Sequence, residues 1–112
     1  MTRVRLHEIA HGRAGDKGNV SNISVIAYEP GHWPAIRDQV TAERVLGVFA
    51  PLGATRVERH ELPRLHALNF VIHDVLDGGV NASLSLDRHG KTLSFKLLGE
   101  IDVALPDLEI GG

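Results

Sequence analysis

Arg13, Gly15, Asp16, Lys17, Gly18 and Asn19 fall within one short segment between two apolar stretches. Glycine lets a backbone take positive φ or approach a ligand closely. Consecutive free N–H groups in such a segment form an anion-binding nest. Arg13 and Lys17 supply positive charge, and Asp16 either orients Lys17 or acts as a base. Asn19 and the nearby Asn22 add amides that fix orientation. This chemistry suits a carboxylate or phosphate. The alternative is a turn in which Asp16 caps its own backbone and Lys17 is solvated. The segment is neither a phosphate-binding Walker A loop nor a dinucleotide fingerprint, so no cofactor is indicated.

Other constellations are weaker. Asn69 and Asn81 are polar positions on strands whose other face is apolar, and Asn69 could join the ligand site as part of its floor. Seven histidines are scattered along the chain. His7 and His11 would stand ~13 Å apart on a strand, too far for one metal ion. His60 and His66 would have to meet across a bend at Pro63. No metal site is expected. His73 and Asp74 are neighbours, but adjacent strand residues point to opposite faces and do not form a dyad. Ser21 and Ser24 lack a nucleophile-elbow motif.

Composition narrows the classes. The 112 residues carry a formal net charge of −2 and no cysteine. This length gives one domain with its own core. We assign residues 1–106 to that domain and 107–112 to a frayed tail ending in Gly111-Gly112. No dense Lys/Arg stripe favours nucleic acid. No apolar run approaches the ~20 residues of a membrane span, and no targeting segment is evident, so a cytoplasmic location is expected. Without cysteine there is no disulfide, thiol nucleophile or Cys-ligated metal.

The elements that must position these residues follow from periodicity. Val4 and Leu6 alternate with charged residues as a strand, broken at Ile9. Asn22–Tyr28 reads as a strand with Ile23, Val25 and Ala27 on one face. Pro34 opens a short helix with Ile36 and Val40 inward. Thr41 is the N-cap of an amphipathic helix carrying Val45, Val48 and Phe49, stopped by Pro51 and Gly53. Thr55–His60 alternates as an edge strand. Leu68, Phe70 and Ile72 form the inner face of another. Asp77-Gly78-Gly79 signals a turn into a strand at Val80–Leu86. After a turn at Arg88-His89-Gly90, Leu93–Leu98 fits either strand or helix, and a short helix ending at Gly99 is favoured. Ile101, Val103 and Leu105 form a last strand. The sum is an α+β sandwich, an antiparallel or mixed sheet with helices on one face.

The segment from Arg13 to Asn22, followed by Ile23-Ser24-Val25-Ile26-Ala27, resembles the start of the C-terminal domain of the acyclic terpene utilisation (AtuA) proteins. Those carry Arg-Ser-Gly-Asp-Lys-Gly running into Asn-Ile-Gly-Val. The likeness continues through Thr41–Val45, Glu61-Leu62-Pro63, Ala67–Val71 and Ser83–Asp87 to about Ser94. This chain has Ala14 where the family usually has Ser, and Ser24 where it usually has Gly. The resemblance implies a ferredoxin-like fold and a setting in acyclic terpenoid or branched acyl-CoA catabolism. It points to a small-ligand-binding or accessory subunit beside a larger AtuA-type protein. Two alternatives stand. One is an enzyme acting on a carboxylate or acyl-thioester through Asp16 and Lys17. The other is a structural homo-oligomerisation module. An open sheet face on a small domain leads us to expect a homo-oligomer or a larger complex.

Overall fold

The computed structural model of the chain describes residues 2–17, 20–75 and 86–105. Strand β1 (Thr2–Arg5) leads into a single helical turn, α1 (Leu6–Ile9). The expected continuation of the strand through Leu6 is therefore corrected. Leu6 and Ile9 are both buried, and a spacing of three places two side chains on one side only in a helix. The Glu8 carboxylate accepts the Arg5 N–H at 2.9 Å and secures the turn.

Strand β2 (Ala10–Lys17) pairs antiparallel with β3 (Val20–Ala27). A short 3-10 turn (Pro30–His32) leads into α2 (Trp33–Gln39), and α3 (Ala42–Phe49) follows. The Thr41 hydroxyl accepts the Arg44 N–H at 3.2 Å, as expected of an N-cap. Gly53 ends this region in the left-handed conformation, with φ 104°, a shape that costs glycine little. Strands β4 (Arg56–Leu62) and β5 (Ala67–His73) form a second hairpin around the Pro63–Leu65 turn.

The four strands make one antiparallel sheet in the order β2-β3-β5-β4. β4 is an edge strand, as its mixed pattern predicts. Helix α4 (Leu86–Glu100) and strand β6 (Asp102–Leu105) complete the chain. β6 pairs with β1 in a separate two-stranded sheet. The helix expected near Leu93 is present, but it includes Arg88-His89-Gly90 and continues past Gly99 to Glu100. The proposed strand at Val80–Leu86 lies outside the described residues except for Leu86, the first residue of α4.

The helices cover one sheet face. Ile23, Val25, Leu68, Phe70 and Ile72 point into the core, where they meet Ile36, Val45, Phe49, Leu93 and Leu97. Polar side chains tie the small sheet to this layer. Gln39 exchanges two hydrogen bonds of 2.8 Å with the backbone of Ala104. The Arg44 guanidinium donates to the carbonyls of Gln39 at 2.8 Å and Asp102 at 2.9 Å. The result is an α+β sandwich of the ferredoxin-like class.

Candidate functional site

The composition of Arg13 to Lys17 favours a loop or turn, and the structure has a strand there. Register carries the pairing with β3 through Gly15↔Asn22, Asp16↔Ser21 and Lys17↔Val20. Gly18 and Asn19 lie outside the described residues. Asp16 and Lys17 are placed here by their backbone. Consecutive strand positions belong to opposite faces, so these two do not share one. Arg13 and Gly15 are exposed on the face away from the helices.

That uncovered face is ordered by cross-strand neighbours. Arg13 pairs with Ser24, Ser24 with Asn69, and Asn69 with His60, which makes one row across all four strands. Gly15, Asn22, Val71 and Glu58 form the next row. The Ser24 hydroxyl donates to Asn69 Oδ1 at 3.1 Å. Asn69 Nδ2 donates to Asn22 Oδ1 at 3.0 Å. Both oxygens are thereby used as acceptors, and the Asn22 amide N–H groups remain as outward donors. The structure joins Asn22 and Asn69 by a hydrogen bond and adds Ser24 between strands. Ser21 is buried on the opposite face, and its hydroxyl donates to the Gly15 carbonyl at 3.4 Å.

A second cluster was missed in sequence. His73 Nε2 lies 2.7 Å from Glu58 Oε2 on the adjacent strand. The Arg56 guanidinium lies 3.1 Å from the same nitrogen, and an ionised carboxylate can only accept, so Nε2 is the donor in its contact with Glu58. Arg56 also reaches Glu58 Oε2 at 3.1 Å, and His60 lies 3.7 Å from its other oxygen. The hydrogen bond from His73, then the charges of Arg56, His73 and His60, hold the Glu58 carboxyl below the usual carboxylate range. Asp74, the sequence neighbour of His73, instead accepts a hydrogen bond from Thr55. The overlooked signal was the alternation Arg56, Glu58, His60 on the outer side of β4. Once β4 pairs with β5, that alternation must face His73. Among the described residues, Glu58 is the one acid at the outer positions of the four strands, and it is already matched by cations.

At the β2 edge the sheet meets α4 across a cleft of about 390 Å³ lined by His11, Gly12, Tyr28, Phe95, Leu98 and Gly99, with His7 at its rim. The His11 and Tyr28 rings stack at 5.2 Å. A Cβ built on Gly12 would stand 3.2 Å from Leu98 Cδ1 and 3.3 Å from the Ser24 carbonyl. Glycine there lets the helix lie close against the strand. No described group of three or more His, Cys, Asp or Glu side chains is arranged to hold a metal. Among the described residues no helix is long and apolar enough to cross a membrane.

Fold and surface together define a ferredoxin-like α+β domain with one sheet face uncovered. Residues 4–103 match the family model of the AtuA ferredoxin-like domain, and the chain belongs to that family. No curated protein and no solved structure matches it.

Proposed function

We propose that this domain is a ligand-binding accessory subunit in the breakdown of acyclic terpenoids or branched acyl-CoA compounds. It holds a small anionic ligand on the uncovered sheet face. The carrying observation is the Arg13–Ser24–Asn69 row with Asn22 beside it. A cation, two oriented amides and a hydroxyl stand on a face whose described strand positions offer no unmatched acid. In a protein of net charge −2, that segregation favours an anion. A carboxylate or a coenzyme A phosphate fits it. Lys17, Gly18 and Asn19 follow directly in sequence. The partner is a larger AtuA-type protein or a second copy, and the setting is the cytoplasm.

Purification from the native host, followed by mass spectrometry of bound protein and ligand, tests the reading. Acyl-CoA ligands are expected to raise the melting temperature of the wild type. No ligand response, together with a bare monomer in sedimentation and no co-purifying protein, overturns it.

A further inference from the structure

We propose that the cleft between β2 and α4 receives the aliphatic chain of the ligand whose anionic group sits at Arg13. This rests on the ligand-binding reading above and adds the class of ligand. A volume of about 390 Å³ is on the scale of a small-molecule pocket. Two large rings line it and are mostly exposed, one face of Tyr28 being stacked on His11. Tyr28 on the sheet side is 61% exposed, and Phe95 on the helix side is 69% exposed. Two solvent-exposed rings facing one cleft gain by covering the same apolar guest.

The floor is equally apolar. Gly12 offers only backbone and Leu98 a methyl, because any side chain at Gly12 would press on that methyl. Among the described residues no Asp, Glu, Lys or Arg lines the cleft, and the titratable side chains there are the imidazoles of His7 and His11 and the phenol of Tyr28. A strongly polar guest would find few partners there. The exit is polar. His11 lies on the uncovered face, and Arg13 is two strand positions further, about 7 Å away. A chain that leaves the cleft past His11 brings a terminal carboxylate or thioester to the Arg13 row.

The chain site can be plugged without disturbing the fold. A Cβ at Gly99 meets nothing within 4 Å, and leucine is a better helix former than glycine. Gly99→Leu is therefore expected to fold normally and fill the cleft. Amide NMR titrations of the full chain would use decanoate below its micelle range, decanol, and coenzyme A without an acyl group. Decanoate is expected to shift Gly12, Phe95 and Gly99, and to bind Gly99→Leu at least about tenfold more weakly. Phe95→Ala, at an exposed position, is expected to weaken decanoate and decanol alike. Coenzyme A binding is expected to survive the plug.

Decanoate shifts confined to Arg13, Asn22 and Asn69, with full affinity in Gly99→Leu, overturn the chain site and leave the anion reading standing. Equal binding of decanol and decanoate, lost in Gly99→Leu and unchanged by Arg13→Ala, supports the cleft and overturns the anion reading. Silence with all three probes overturns both.

Discussion

The β2–β3 and β4–β5 hairpins are the two halves of one antiparallel sheet, yet they treat their charges differently. In β4–β5, Arg56, Glu58, His60 and His73 satisfy one another across the strands, and Arg59 lies 3.3 Å from Glu61. In β2–β3, Arg13 has no ion-pair partner among the described residues, and the neighbouring amides keep donors to spare. One half pairs its charged groups internally. The other presents them outward and adjoins the cleft. The residues across from Arg13 make the difference, because its row on β3 and β5 offers Ser24 and Asn69 and no carboxylate.

The largest effect should come from beneath both halves. Phe49 is fully buried, and Phe49→Ala should cost about 3–5 kcal/mol. Urea unfolding should show both hairpins melting in one transition, because they share one core. Two separate transitions would break the comparison at its root.

Two glycines of one strand sharpen it next. Gly12→Val has to displace Leu98 or the Ser24 carbonyl, and should cost about 1–3 kcal/mol. Gly15→Ala meets nothing within 4 Å and should change stability by less than about 0.5 kcal/mol. Similar losses at both sites would remove the special role of the close helix approach at Gly12.

The closed half should carry a signature in acid. Glu58 has a folded-state pKa below its ordinary value, mainly through the His73 hydrogen bond. Its contribution is present at neutral pH and is lost as pH falls through and below the usual carboxylate range. Melting curves of the wild type and Glu58→Gln should differ at neutral pH and converge in acid. A gap that persists in strong acid would mean that Glu58 acts through something other than its charge.

The smallest structural effect belongs to the open half. Arg13→Ala should leave the melting temperature nearly unchanged, within the ±0.5 kcal/mol typical of surface sites. It should nonetheless reduce the stabilisation that an acyl-CoA ligand gives. A large loss of stability instead would move Arg13 from the receptive half to the architecture.

Local rules decided much of this protein before any chain folded. β-branched alternation marked β3 and β5, and their inner faces follow from period two alone. Thr41 identified the start of α3, and Pro63 fixed the break between β4 and β5. Asn22 and Asn69 were legible as outward polar positions for the same reason. Other features depended on residues far apart in sequence. The strand from Arg13 to Lys17 looked like a turn, because its glycines and charges disfavour strand locally. Pairing with β3 overrode that preference, since each added pair satisfies backbone groups that a loop would leave to water. The partnership of His73 with Glu58 and the anchoring of Arg44 on Asp102 arise from register and packing across the fold. The cleft exists only because α4 returns to lie on Gly12. Sequence sets which face of each element is apolar; which elements then meet is set by the geometry that buries those faces together.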